Sequence, residues 1–318
     1  MTDRRTFVIA LKARIRRSGL MLAFLALCVA LLLLSDRFLT LPNILNILRQ
    51  SSINGIIAAG MTLVILTAGI DLSVGSVLAL SSVITAQLLV GGFPPLMASI
   101  SGLFVGALLG LFNGILVTLF SLPPFVATLG TMTFARGLAL SFTQGEPITG
   151  LPESFRVLGT GFVGPIPAPV IILLAVFLVG VIFLNLTSQG ERLYALGNNP
   201  VAARFTGIPV KPYLIMVYSI AGVLAALAGQ ILIARLDSAQ PVMGMGYELE
   251  AIAAVVVGGA DFSGGSGGLP GTLIGVLFIV VINNGLNLLN IPSFWGQVVK
   301  GAVIVMALLL NRASVSKN

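Results

Sequence analysis

Apolar runs long enough to cross a bilayer recur along almost the whole chain, and charged residues scarcely interrupt them. Residues 19–34 contain no Asp, Glu, Lys or Arg at all. In lipid only a helix or a closed barrel satisfies its own backbone, and a spanning helix takes about 20 apolar residues. The composition agrees: 57% of residues are hydrophobic and 8% charged, against about 25% charged in soluble domains. A soluble fold of 318 residues could not cover its surface with so few charges. The chain has no histidine, and its one cysteine is Cys28. An intramolecular disulfide, His-ligated zinc and His-based acid–base chemistry are thereby excluded, and neither a metal nor a cofactor is expected.

Breakers between the runs predict an all-α polytopic bundle of about ten spans. These cover 19–34, 53–68, 74–90, 95–120, 125–143, 168–187, 213–234, 248–260, 270–289 and 294–310. A short amphipathic piece, 42–50, precedes the second span, and a polar stretch with Glu146, Glu153 and Arg156 precedes the sixth. The chain thus reads as a basic tail 1–18, one transmembrane domain 19–311 and a short tail 312–318.

The cations set the orientation. Arg4, Arg5, Lys12, Arg14, Arg16 and Arg17 crowd the N-terminal tail, and Arg192, Arg204, Lys211, Arg312 and Lys317 fall on the same side of a ten-span chain. Only Arg37, Arg156 and Arg235 fall in loops on the other side. Basic residues stay cytoplasmic, so both termini are expected inside a bacterial cytoplasmic membrane. A basic tail running straight into an apolar helix points to the membrane and not to nucleic acid.

Residues 188–212 form the longest inside loop, with a short helix expected in its middle. Asn199 can cap it, Pro200 suits its first position, and Gly207 suits its stop. Carrying Arg192 and Arg204, this loop is either a docking element for a soluble partner or a solvated connector. The glycine-rich run 258–271 lacks the Lys-Ser/Thr pair of a phosphate-binding loop, so a tight reversal or close helix packing is expected there.

That run has an echo. Gly69-Ile-Asp-Leu-Ser-Val-Gly-Ser76 matches Gly259-Ala-Asp-Phe-Ser-Gly-Gly-Ser266 at five of eight positions. Interrupted helices at matching places in two halves can frame a transport path; equally, each Asp and Ser can cap the helix that follows. Gly102, Gly106, Gly110 and Gly114 make an every-fourth ridge suited to close helix packing. Asn283, Asn287 and Asn290 share a helix face, with Asn284 adjacent. They can bond neighbouring helices or line a polar path. Asp71, Asn113, Gln240 and Glu248 are further pathway candidates. Glu248 and Glu250 also suit the dipole of the helix they begin. Arg136 is the cation deepest in a span, where function, an ion pair and snorkelling are all open.

GMTLVILTAGIDLSVGSVLAL (60–80), YALGNNPVAARFTGI (194–208), ARLDSAQPVMGMGYELEAIAAVVVGG (234–259) and NNGLNLL (283–289) together resemble the sugar-importing permeases of ATP-binding-cassette transporters. The likeness extends over nearly everything after the N-terminal tail. It implies a non-catalytic, pore-forming subunit, paired as a homodimer. The implied partners are a tandem sugar-type ATPase inside and a sugar-binding protein outside. A monosaccharide is the implied substrate, ribose foremost. It also assigns ATPase coupling to Arg192, Gly197, Asn198, Ala202, Ala203 and Gly207, which Arg204 joins by its place in the same loop. At Gly258–Phe262 the chain departs from the family's usual GGTSL, so Asp261 takes no role from the resemblance. On residue chemistry alone, an ion-coupled secondary transporter of a small polar solute is the alternative.

Overall fold

The computed structural model describes residues 19–292, 294–299, 301–302 and 305; both tails and Lys300 lie outside them. The helices are α1 (Gly19–Leu34), α2 (Leu41–Leu66), α3 (Val74–Val90), α4 (Pro95–Thr118), α5 (Pro124–Thr143), α6 (Glu153–Thr160), α7 (Ala168–Leu186), α8 (Ser188–Asn198), α9 (Pro200–Phe205), α10 (Val210–Leu236), α11 (Tyr247–Val257) and α12 (Leu269–Leu288). The described residues after Pro292 are helical and belong to the last expected span. Among the described residues five helices, α4, α5, α7, α10 and α12, are long and apolar enough to cross a membrane, and α1 and α3 are shorter apolar helices.

The bundle is organised around α2. Every residue from Ser51 to Leu66 is buried, because α7, α10, α11 and α12 pack around it. This stretch carries Ser51, Ser52, Asn54 and Thr62, polar groups that lipid cannot satisfy, so it is the neighbouring helices that enclose it. Residues 42–50 and 53–68 were expected as two pieces; they form one continuous helix of 26 residues. Gln50, Ser51 and Ser52 look like a break in sequence, but Ser52 folds its hydroxyl back onto the Leu48 carbonyl at 2.8 Å and stays helical.

Against α10, α4 packs along its glycine ridge. A β-carbon on Gly106 would lie 2.4 Å from the Gly222 carbonyl oxygen, one on Gly110 2.2 Å from that of Tyr218, and one on Gly114 2.7 Å from Ile215 Cα. Gly102 faces α3 in the same way, with Thr85 Oγ1 at 2.0 Å. At this spacing only hydrogen fits, so the two backbones touch.

On the outer side, the stretch before α7 holds α6 and three two-residue strands, and a fourth follows α10. β1 (Ile148–Thr149) pairs antiparallel with β4 (Ser238–Ala239), and β2 (Phe162–Val163) with β3 (Ile166–Pro167). Arg156 meets Asp237 at 3.4 Å, a partly exposed pair worth about 1 kcal/mol at most. The neighbouring Arg235 donates to Asn46 Oδ1 at 2.6 Å, and the Arg49 guanidinium lies 5.0 Å over the Phe162 ring.

Candidate functional site: a broken-helix junction and a cytoplasmic platform

α11 has 11 residues, about 16 Å, roughly half of a hydrocarbon core of about 30 Å. It is too short to cross that core alone, and α3 starts beside its N-terminus. A β-carbon on Gly75 would stand 2.2 Å from the Gly244 carbonyl oxygen and 2.6 Å from Glu248 Oε2. The two N-termini meet at this point, and neither has a side-chain cap. Their positive ends thus face one small region that contains the Glu248 carboxylate. Gly244 and Gly246 both have left-handed backbone, with φ of +73° and +85°, a conformation that favours glycine.

Arg136 closes this junction. Its Nη1 donates to the carbonyl oxygens of Pro241 at 2.5 Å and Met243 at 2.8 Å. α5 thereby holds the non-helical segment that leads into α11. The carbonyls of Pro241 and Met243 lie in the non-helical turn 241–246, and the guanidinium supplies them with donors that lipid cannot. Gln240 is exposed just before this segment.

Beneath it lies a sealed polar cluster. Asp71 Oδ1 accepts from Ser73 N at 2.8 Å and from Ser73 Oγ at 2.6 Å, and Asn113 Nδ2 donates to Ser73 Oγ at 2.8 Å. The Leu72 amide donates to Thr128 Oγ1 at 3.1 Å. Asp71 and Asn113 are 1% and 0% exposed, so they sit in the packed interior and not on an open surface. Ser73 and Thr128 had no functional mark in the sequence beyond the place of Ser73 in the echo.

Capping was one expectation for the echoed segments, and it does not hold. Asp261 Oδ1 accepts from Ser263 N at 2.9 Å, two residues on, as Asp71 does from Ser73. Both copies therefore make an Asx turn before their helix, and neither carboxylate reaches an N-terminal helix amide. The second copy reaches the end of α2, three residues before the first copy begins: Gly265 N donates to the Leu66 carbonyl at 2.9 Å.

The asparagines of α12 separate. Asn284 is buried and exchanges two hydrogen bonds with Asn43, at 2.7 and 3.1 Å, clipping α12 to the start of α2. Asn283 is half-buried and Asn287 exposed, whereas Asn290 lies beyond the end of α12 with φ of +54° and so does not share their helix face as expected.

On the cytoplasmic side, 188–212 forms two helices where one was expected. The break falls at Asn199, whose Oδ1 accepts from Val201 N at 3.0 Å and Ala202 N at 2.9 Å, capping α9 at Pro200. Gly207, at φ +83°, ends it. α8 is bound to the glycine-rich loop. Tyr194 Oη donates to Gly267 O at 3.1 Å, and Asn198 Nδ2 reaches Gly265 O at 3.4 Å. Burial pushes the Tyr194 phenol above its ordinary value. Gly197 and Ala203 are buried, while Arg192, Asn198, Ala202, Arg204 and Gly207 are exposed. Val201 and Phe205, 63% and 88% exposed, add an apolar patch beside Arg204. Sequence reasoning passed over both, although two large apolar residues in a loop expected to be solvated were the available signal.

Residues 43–308 match the family described as the branched-chain amino acid transport system / permease component. The chain is 51% identical over 299 residues to the ribose import permease RbsC of Bacillus subtilis, covering 93% of each. It is 44% identical over 304 residues to RbsC of Escherichia coli K12, covering 94% of this chain and 95% of that one. The galactose/methyl galactoside import permease MglC of E. coli K12 is 35% identical. Among solved structures, an inward-facing ABC transporter described as metal-chelate type shares the fold, with a TM-score of 0.52 at 15% identity. That likeness covers 92% of this chain and 99% of the other. The chain therefore belongs to the permease-component family of branched-chain amino acid transport systems, as a multi-pass ABC permease of the bacterial inner membrane.

Proposed function

We propose that this permease forms the membrane path of an importer for a monosaccharide, ribose in the first place. A binding protein outside delivers the sugar, and an ATPase on a separate chain binds α8 and α9. The observation that carries the reading is mechanical continuity. Val201, Arg204 and Phe205 present a docking surface, while α8 is bonded to the glycine loop, which in turn is bonded to the end of α2. A push on the platform therefore reaches α2 and the broken-helix junction directly. The ribose import permeases that are 44–51% identical support the choice of substrate.

In this reading the sugar passes the junction. Arg136, Glu248 and Gln240 stand on its path, with Asn283 and Asn287 further along, and Asp71, Asn113 and Asn284 hold the frame. Uncapped amides, carbonyls and one carboxylate suit a neutral polyol, which needs donors and acceptors and no counter-ion. A second copy is proposed to meet this one along α5. That helix buries Ala127, Thr128, Thr131, Ala135 and Ala139 against its own chain, yet leaves Gly130 and Gly137 open to empty space.

Radiolabelled ribose uptake into proteoliposomes tests the proposal. Uptake is expected only with ATP, the ATPase and the binding protein together. Uptake by this chain alone under a proton or sodium gradient would overturn it in favour of ion coupling.

A further inference from the structure

We propose that the permease holds one anionic phospholipid of the inner leaflet in a groove between α7 and α10. This groove of about 390 Å³ is lined by Leu63, Ala175, Gly180, Phe183, Leu224 and Leu269 among others, all of them apolar. From Ala175 to Phe183 it follows α7 for eight residues, about 12 Å. One leaflet's hydrocarbon is about 15 Å deep. Phe183 lies one turn from the cytoplasmic end of α7, so the groove runs along the inner half of that helix and its length is close to the depth of one leaflet.

Polar and basic side chains follow at the cytoplasmic ends of α7 and α10. Tyr213 stands two turns before Ile220, a groove residue on the same face of α10. The Tyr213 hydroxyl bonds to Gln189, and Arg192 Nη1 donates to it at 3.2 Å. Both partners lie on α8, directly after α7 ends. Arg204 and Lys211 line a second cavity of about 400 Å³ at the same boundary. None of these three cations forms an ion pair among the described residues. Basic pockets between spans on the cytoplasmic side are where anionic headgroups bind. An acyl chain in the groove would leave its phosphate level with Gln189, Arg192 and Tyr213. The arrangement requires only that the chain sit in a membrane, so it does not depend on the identity of the transported sugar.

Native mass spectrometry of the full chain tests this, using equimolar dioleoyl-phosphatidylglycerol and dioleoyl-phosphatidylethanolamine. One phosphatidylglycerol should be retained in at least fivefold excess. Ala175→Trp should lower retention of both lipids at least fivefold. Val179→Trp, at a rim position 66% exposed to lipid, serves as a second blocking variant if the first does not fold. Arg192→Gln should keep a bound lipid but lose the headgroup preference. Equal retention by a folded blocking variant would overturn the proposal, as would an absent preference in the unaltered chain. Displacement by soluble glycerol 3-phosphate would also overturn it, showing a phosphate site without an acyl chain.

Discussion

Gly197 on α8 lies against the carbonyl oxygen of Leu66, the last residue of α2, so closely that a β-carbon there would stand 1.9 Å from it. The platform and the central helix are therefore in backbone contact, and the same Leu66 oxygen accepts from Gly265. Gly197→Ala should lift α8 off this seat. ATP-driven uptake is expected to fall at least tenfold while the protein still reaches the membrane. Normal coupling in this variant would remove the contact from the transmission path.

The exposed face of α9 makes a different prediction. Phe205→Ala and Arg204→Glu alter exposed side chains, so melting should stay unchanged while ATPase co-purification drops several-fold. Undiminished co-purification in the double variant would place the docking surface elsewhere. The same readout on Arg192→Glu would show whether the exposed end of α8 takes part.

Arg136→Ala deletes two charge-assisted hydrogen bonds, each worth about 1.5–3 kcal/mol. The segment before α11 should loosen, with a lower melting temperature and loss of uptake. Arg136→Lys should recover part of the stability, because one ammonium can reach one carbonyl but lacks the planar fork. A variant that keeps wild-type stability would show that these carbonyls find other donors.

Two glycines on facing sides of the bundle should respond in opposite ways. Gly106→Leu strikes the backbone of α10, and overpacking of this kind costs about 1–3 kcal/mol or more. Gly137→Ala meets nothing within 4 Å, and removing a helical glycine gains about 1 kcal/mol. Gly137→Leu should spare the monomer but weaken a dimer formed through α5, which cross-linking or light scattering would detect. An unaltered dimer would move the interface to another helix.

The Tyr194 anchor should depend on pH in one direction only. Burial raises its phenol above its ordinary value, near 10, so the folded state favours the protonated form. Its contribution is complete below about pH 10 and is lost as pH rises through the raised value. The stability difference between the unaltered chain and Tyr194→Phe should be constant up to that point and shrink above it. A difference that grew in alkali would rule out the phenol as a donor.

Much of the bundle was legible, because lipid forces each long apolar run into a helix whatever its neighbours do. The run 74–90 has the same bounds in sequence and structure. Misjudged ends have local causes. α10 begins at Val210 and not after Pro212, since proline in the first turn costs no hydrogen bond. The two serines after Gln50 likewise did not interrupt α2. What could not be read was the junction. Arg136 is held by backbone carbonyls of Pro241 and Met243, and a carbonyl has no residue type to mark it. Asn199 and Pro200 did announce a helix start, but one short helix was expected to carry both Arg192 and Arg204, whereas α8 carries the first and α9 the second. Gly190 and Gly197 let α8 touch the ends of α7 and α2.

The glycine ridge restricts how a permease built this way can move. Three levels of backbone contact between α4 and α10, with a fourth at Gly102 against Thr85 of α3, act like the teeth of a rack. Neither helix can slip along the other by a fraction of a turn without lifting over a carbonyl. α4 and α10 must therefore travel as one body with the part of α3 they grip. Any opening then has to come from a hinge at the uncapped ends of α3 and α11, or from α5 swinging with the segment that Arg136 holds.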